Sequence, residues 1–501
     1  MRKCLAVGII LLFVGTAIVP SNGQQVEKTS LPIPRGDILY VGGSGPGNYT
    51  RIQDAIDNAT NGDTVFVFDD SSPYYENLLI NKSIIFIGEN KETTIIDGRE
   101  NGTCVSVLVD RVRISGFTIQ KSGYWYPGIQ MRLSNYSIIS SNILQNNTGP
   151  GLRFISANNN TITDNIIIHN YDGIYARSGF GNLIDGNYIC YNSDVGIELY
   201  AEGPNIISGN NISSNGNWGI YVFNIDTPGN NITGNYISNN HLKGILVSIS
   251  SDVCISNNII SHSNIGIEID DSTIVYNNSF LECGITVTGS VNSIFNNTFS
   301  DSGIIVEVLS QNNIYNNEIN GKPLVYLDGK SGIRIEDAGQ IILMNCNNIT
   351  MTNVELSHAS IGLAMFNCNN IIILHVDLSH ASIGLKMFKT SNCNISHSNI
   401  SYNSEGVYLW YSREIEFFKN NFIQNERDVF FIVDWQGSHN VWSRNYFDHK
   451  IPLLPKIMKG TMRTKFVIHL PFPPPGGDIP IYRVKFYFDW FPALVPYSMG
   501  V

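Results

Sequence analysis

The stretch Gly181–Tyr200 reads GNLIDGNYICYNSDVGIELY and places asparagine at 182, 187 and 192, ahead of Gly196 and an apolar run. The layout returns as PNIISGNNISSNGNWGIYV from Pro204 and as GNNITGNYISNNHLKGILV from Gly229. Aligned on the glycine, Gly151, Gly173, Gly196, Gly219, Gly244 and Gly266 recur about every 22 to 25 residues, a period that signals a solenoid. That period is short for paired helices, and Asn, Gly and β-branched residues are poor helix formers. Each repeat therefore reads as three short strands joined by tight turns. Ile184, Ile189, Ile197 and Leu199 should point inward, with Ile207, Ile212, Ile220 and Val222 stacked on them one coil later, about 4.8 Å away. Asparagine suits the corners because it tolerates left-handed backbone angles and its amide can bond both local backbone and the asparagine of the next coil. The glycine before the third strand is expected there for similar backbone reasons. The asparagine pattern is architecture and not a ligand code.

Working outward, the rhythm loosens through Gly284 and Gly303 and is interrupted by NGKPLVYLDGKSG from Asn320. It resumes in two near copies offset by 22 residues, NCNNITMTNVELSHASIGLAMF from Asn345 and NCNNIIILHVDLSHASIGLKMF from Asn367. A further coil ends at Gly406, and the last asparagine is Asn445. Solenoids need their terminal edges covered. At the start, TRIQDAIDNA from Thr50 predicts a helix whose capping box is Thr50 and Gln53 and whose apolar face is Ile52, Ala55, Ile56 and Ala59. At the far end, residues 446–501 contain no asparagine after Tyr446 and hold about half of the prolines. There TKFVIHLPF and IPIYRVKFYFDWF read as two strands around PPPGGD. The expected division is a signal at 1–23, a linker at 24–35, the solenoid at 36–445 and a Pro-rich cap or appendage at 446–501.

The signal rests on Arg2 and Lys3 before an apolar run from Leu5 to Val19 and a small-residue site at Ser21–Gly23, which implies a secreted or cell-surface protein. No later segment is long and apolar enough to span a membrane. The chain of 501 residues is 43% hydrophobic and 15% charged, enough to bury a large core, and its net charge of −11 argues against a nucleic-acid or anionic-membrane partner. Beyond Cys4, the cysteines are Cys104, Cys190, Cys254, Cys283, Cys346, Cys368 and Cys393, without the spacing of a zinc module. Asn-x-Ser/Thr acceptors such as Asn48, Asn81, Asn135, Asn211, Asn231, Asn348 and Asn394 would be open to glycosylation after export.

The segment Gly36–Gly98, GDILYVGGSGPGNYTRIQDAIDNATNGDTVFVFDDSSPYYENLLINKSIIFIGENKETTIIDG, resembles the N-terminal part of right-handed parallel β-helix proteins in the pectin-lyase-like superfamily. With NGKPLVYL, DAGQIILMNCNNIT from Asp337 and FDWFPALVPY from Phe488, the chain is most similar to secreted archaeal β-helix proteins. These belong to the periplasmic copper-binding NosD group and to the sugar-binding and sugar-hydrolase β-helix repeats. The resemblance implies an all-β, right-handed parallel β-helix with a short N-terminal capping helix and a C-terminal β appendage. It does not choose an activity, because this fold hosts lyases, hydrolases, esterases, epimerases and binders.

Carbohydrate enzymes on this fold work from the outer face of one sheet, and alternation turns outward the second and fourth residues after each glycine. Those stripes contain Arg153, Tyr175, Glu198, Tyr221 and Glu268, beside Arg177, Tyr200, Phe223 and Asp270, with Lys386, Phe388, Tyr408 and Trp410 further on. Aromatic faces stack on the C–H faces of sugar rings, while charged groups bond their hydroxyls. Glycoside hydrolysis needs a carboxyl pair at about 5 to 9.5 Å. Glu198 and Glu268 should be about 14 Å apart, whereas Glu268 and Asp270 should lie at about 6 to 7 Å, a spacing that also suits calcium. The family's catalytic signatures are missing. Arg334–Ile335–Glu336 stands nearest the polygalacturonase Arg-Ile-Lys, and PYYEN at Pro73 resembles only an early pectinesterase strand. His358 and His380 occupy one position in the two near copies, as do Cys346 and Cys368, so either pair could be about 5 Å apart and serve as copper ligands or, for the thiols, as a disulfide. The function expected is noncatalytic binding of a polysaccharide or cell-surface glycan. The alternatives are a polysaccharide lyase or hydrolase, a structural cell-envelope protein and a NosD-like copper-binding maturation factor.

Overall fold

The computed structural model describes residues 36–200, 203–223, 229–249, 252–307, 311–433, 439–448, 456–467, 480–489, 493 and 496–497. The leader, the linker and the PPPGGD turn lie outside them. One coil shows how the repeat is built. Leu183–Asp185 lies on a first face, Tyr188–Cys190 on a second and Ile197–Tyr200 on a third, and each pairs in parallel with the corresponding strand of the coils on either side. Ile184 sits beside Ile207, Ile189 beside Ile212, Ile197 beside Ile220 and Leu199 beside Val222, and all eight are buried. The predicted inward set is therefore the observed core. In this first array the first face is a 13-stranded sheet from Ile38 to Tyr315, and the third an 11-stranded sheet from Leu78 to Val306.

The three asparagines of the opening stretch belong to three separate columns. Asn187 Nδ2 donates to the Ile162 carbonyl at 2.9 Å and to Asn210 Oδ1 at 3.0 Å, while its main-chain N–H also donates to Asn210 Oδ1. Asn182 and Asn192 repeat the arrangement with Asn205 and Asn215. Each amide thus satisfies corner backbone groups that turn away from the strands, which is why so polar a residue is buried. The backbone reason expected for these residues belongs instead to their predecessors. Positive φ falls on Gly181, Gly186 and Tyr191, one position earlier. Where asparagine itself takes that role, at Asn257, Asn277 and Asn296, a second asparagine follows to supply the column. The aligned glycines have a different reason from the one expected. Gly196 does not have positive φ, but a Cβ there would lie 2.5 Å from the Gly219 carbonyl oxygen, so close stacking of coils excludes any side chain.

At the N-terminal end the helix Ile52–Asn58 buries Ile52, Ala55 and Ile56. No capping box forms: Arg51 is the N-cap, and the Ile52 and Gln53 N–H groups donate to the carboxylate of Glu76, from PYYEN, at 2.8 and 3.1 Å. A carboxylate from the neighbouring coil does the work that local sequence assigned to Thr50.

The interruption at Asn320 is a reversal of the chain. Asn320 and Gly321 both have positive φ, as a tight hairpin requires, and Glu318–Ile319 pairs antiparallel with Lys322–Asp328. A second array follows, with its own core. Its leading sheet runs through Lys322–Asp328, Gln340–Met344, Ile361–Phe366, Ile383–Phe388, Glu405–Trp410 and Arg427–Val433. Ile341, Leu343, Leu363 and Met365 face that second core, whereas Ile342, Met344, Ala364 and Phe366 join the first. The second array therefore covers the open end of the first. Gln340 completes the seal: its Oε1 accepts from Ile304 N–H at 2.9 Å, and its Nε2 donates to the carbonyls of Ile304 and Ile361 at 2.8 and 2.9 Å. The side-chain amide stands in for the next strand along the third face.

Beyond Asn445, Lys456–Val467 and Pro480–Asp489 pair antiparallel. The first of these begins earlier than TKFVIHLPF suggested. From FDWFPALVPY, Asp489 accepts the N–H and the amide of Asn445 at 2.9 and 3.1 Å, ending the Asn420–Asn445 column, and Tyr497 exchanges two bonds with Asn421.

Candidate functional site

Strand register brings the predicted residues into rows on the third face of the first array. One row runs Gln130, Arg153, Tyr175, Glu198, Tyr221, Leu246, Glu268, and the next runs Arg132, Ile155, Arg177, Tyr200, Phe223, Ser248. The rings form a continuous surface: Tyr200 lies 5.8 Å from Tyr175, 5.9 Å from Tyr221 and 5.4 Å from Phe223. Arg153 lies 5.9 Å over Tyr175 and donates to the Trp125 carbonyl at 2.9 Å.

The last two predicted residues are held elsewhere. Glu268 pairs with Lys243 at 2.8 Å. Asp270 lies past the end of its strand, accepting the Ile249 N–H and the Thr288 hydroxyl, and Asp271 accepts the Ser290 N–H and hydroxyl. These aspartates are turn acceptors, and the proposed carboxyl pair has one member neutralised and the other engaged.

Corners adjoining the third face add residues that alternation along a strand could not place. Trp125 packs edge-on to Tyr171 at 4.6 Å and to Tyr124 at 5.6 Å. Tyr124 is 77% exposed. Trp218 adds its ring 4.8 Å from Tyr221. Asp194 accepts from Asn217 Nδ2 at 2.5 Å, and burial first and then Asp194 raise the Tyr171 phenol. Asp172 is buried with Oδ1 on the Val195 N–H at 3.2 Å. Burial first, and then the neighbouring charge of Glu198, push its carboxyl up to about 7. Burial likewise raises Glu198 and Tyr200, and it lowers Arg153. The aromatic triplet of KSGYWYPG is visible in the sequence as a departure from small, polar corner residues; Asp172 and Asp194 carry no such signal.

Metal chemistry finds poor support at the predicted histidines. The His358 and His380 rings are nearly parallel, 3° apart in plane, with centroids at 4.6 Å, and Tyr402 continues the stack at 4.8 Å. Equivalent nitrogens of rings stacked in this way point side by side at a separation beyond twice a metal–nitrogen bond of about 2.1 Å, so as posed the pair does not fit a shared copper ion. Among the described residues no three His, Cys, Asp or Glu side chains group so as to hold a metal. Cys346 and Cys368 are free thiols that donate to the Met344 and Phe366 carbonyls at 3.3 and 3.4 Å, and the influence of each on the other lowers Cys346 and raises Cys368.

Residues 56–243 match the family described as periplasmic copper-binding protein (NosD), and residues 339–450 match the right handed beta helix region. The fold is that of a right-handed parallel β-helix. This β-helix protein is 32% identical over 266 residues to a cell surface glycoprotein of Methanothermus fervidus, a match covering 48% of the chain and 43% of that glycoprotein. It thus spans less than half of that relative. Among solved structures it is similar to pectate lyase Pel9A, with 16% identity, coverage of 58% of this chain and 82% of the other, and a TM-score of 0.38. It is also similar to the tailspike protein of E. coli bacteriophage HK620 in complex with pentasaccharide, with 12% identity, coverage of 66% and 74%, and a TM-score of 0.43. No described helix of the β-helix protein is long and apolar enough to cross a membrane.

Proposed function

We propose that the protein is displayed at the cell surface or in the envelope and binds carbohydrate without cleaving it, along the third face of the first array. The observation that carries this reading is the continuous patch that Tyr175, Tyr200, Tyr221, Phe223 and Trp218 form across two adjoining rows, flanked by Arg153 on one side and with Glu198 within it. Half-buried rings on a rigid sheet lose little entropy on stacking against sugars, and repetition adds weak contacts together. A surface location is supported by the name of the Methanothermus relative and by the periplasmic description of the matching family.

The test is a glycan-array and polysaccharide-cleavage screen of the mature chain alongside Tyr200→Ala and Tyr221→Ala. Each variant should weaken binding by about two- to tenfold, the loss of one stacking contact of about 0.5–1.5 kcal/mol. The reading is wrong if wild type binds no glycan, or if both variants bind as tightly as wild type.

One observation favours a second reading, an enzyme acting on polysaccharide. Asp172, with its carboxyl held near neutrality beside Glu198, has the property of a general acid. Polysaccharide cleavage by wild type that is lost in Asp172→Asn, with unfolding unchanged, would replace the binding reading by this one.

A further inference from the structure

Resting on the carbohydrate reading above, we infer that the bound polymer is anionic in alternation, with an acidic sugar seated on Arg132, Arg153 and Arg177 and a neutral sugar following it over Tyr200 and Tyr221. The three guanidinium groups stand on three successive strands of one sheet. Arg132 and Arg177 flank Ile155 in one row, about 9.6 Å apart at two coil spacings, and Arg153 lies between them in the adjoining row. Arg132 and Arg177 are exposed and Arg153 is half-buried.

None of the three has a carboxylate within ion-pair distance among the described residues. That is unusual in a chain of net charge −11, where acidic side chains outnumber basic ones and other cations on this face, such as Lys243, find a partner. Arg153 is fixed by the Trp125 carbonyl and the Tyr175 ring, and the charges of Arg153 and Arg177 both reach the Tyr175 hydroxyl. The charge of Asp172 acts on Arg153 from the adjoining corner, but no described carboxylate comes within ion-pair distance of the three guanidinium groups, so an anion placed among them would gain cationic partners that the fold leaves open. The planar fork of guanidinium matches carboxylate or sulfate with two parallel bonds, which a neutral hydroxyl cannot reproduce.

The face also limits how much charge the polymer carries. One coil past Tyr175 the row reaches Glu198, and Glu268 follows three coils later. A polymer with an anion on every sugar would set charge against Glu198 as it crossed the aromatic row. The arrangement accepts an acidic sugar at the arginine end and a neutral one next to it.

Titration calorimetry of the mature chain against four polymers tests this: dextran (neutral), polygalacturonate (a carboxylate on every sugar), hyaluronan (carboxylate on alternate sugars) and chondroitin sulfate (alternating, with sulfate added). Hyaluronan or chondroitin sulfate should bind tightest. Which of the two binds more tightly separates carboxylate from sulfate recognition. Raising salt from about 50 to about 300 mM should weaken the interaction. Arg132→Gln combined with Arg177→Gln should cost about tenfold or more for the alternating polymers, and Arg177→Lys less. Tighter binding of dextran or polygalacturonate, or arginine variants that bind the alternating polymers as well as wild type, overturns the inference. If those outcomes accompany binding that is lost in Tyr200→Ala, the carbohydrate reading survives alone. If none of the four polymers binds and the glycan screen is also blank, both fall together.

Discussion

The two arrays solve the same corner problem with different chemistry. In the first, columns of buried asparagine run through coil after coil, as in Asn165–Asn187–Asn210–Asn235–Asn258, each residue giving one oxygen and two N–H groups to its neighbours. In the second, the corner that follows the leading sheet reads Cys346, Cys368, Thr390, Ser412. There the Cys368 N–H meets Thr390 Oγ1 at 3.4 Å and the Thr390 N–H meets Ser412 Oγ at 3.2 Å. At the other corners of the second array, buried asparagines join in short pairs, Asn403–Asn425 and Asn420–Asn445. The comparison separates what a corner needs from what asparagine adds. A buried N–H needs an acceptor, which a hydroxyl can provide. The extra donors of asparagine tie each coil to both neighbours. The second array has other cohesion, with rings stacked down its core, Phe417 on Trp442 at 3.9 Å and Phe422 on Phe447 at 4.6 Å, and a leading sheet buried on both sides at Gln340–Met344 and Ile361–Phe366.

The sharpest way to break this comparison is Asn187→Leu. The change removes the acceptor for the Asn165 N–H and amide, and the donors to Ile162, Asp185 and Asn210. Stranding these buried groups should lower stability by about 4 kcal/mol, read as a fall in the urea midpoint. A loss below about 1 kcal/mol would mean that water or neighbouring backbone can replace the column.

Each array holds an ionisable group out of water, and Asp172 in the first and Lys386 in the second carry opposite charges. In the first, burial raises Asp172 to about 7; in the second, burial lowers Lys386, which the charge of Glu307 only partly offsets. The consequences run in opposite directions. A carboxyl raised on folding contributes stability that is full below its unfolded value of 3.8 and is lost as pH rises through about 7. An amine lowered on folding contributes stability that is full above its unfolded value of 10.5 and is lost as pH falls through its folded value. Asp172→Asn should therefore flatten the decline in unfolding midpoint between pH 4 and pH 8, and Lys386→Met the decline on going down from alkaline pH. Unchanged slopes in both variants would place each group in water.

How much of this was legible follows from where a residue sits in the coil. Strand positions were readable because alternation and a fixed period leave one choice, so Ile184 on Ile207 and Tyr200 beside Phe223 follow from counting. Corners were readable only in part. Asparagine announced them, but whether it held the left-handed backbone or the amide column depends on neighbouring coils, and the answer at Asn187 is the column. Contacts between distant segments left no local trace. Glu76 capping the helix at Ile52, Gln340 sealing the third face at Ile304 and Asp489 ending the column at Asn445 join residues 24, 36 and 44 positions apart. Asp172 stayed hidden for the same reason: it precedes Gly173 in a corner, and its carboxyl owes its character first to burial and then to Glu198 in the following coil.

Thr390→Val makes the smallest change and tests the comparison most directly. Valine keeps the branched shape and removes one hydroxyl, so packing changes little. That hydroxyl accepts from the Cys368 N–H at 3.4 Å and donates to the Phe388 carbonyl at 3.2 Å, both near the long limit of a hydrogen bond. Losing them should cost about 1 kcal/mol in the urea midpoint, a quarter of the cost at Asn187. An equal cost at the two sites would mean that the acceptor matters and the additional donors do not, so that asparagine in the first array reflects its turn preference alone. A smaller cost at Thr390 assigns the difference to the donors, because both sites lose an acceptor for a buried N–H and only Asn187 also loses bonds to the coils on either side.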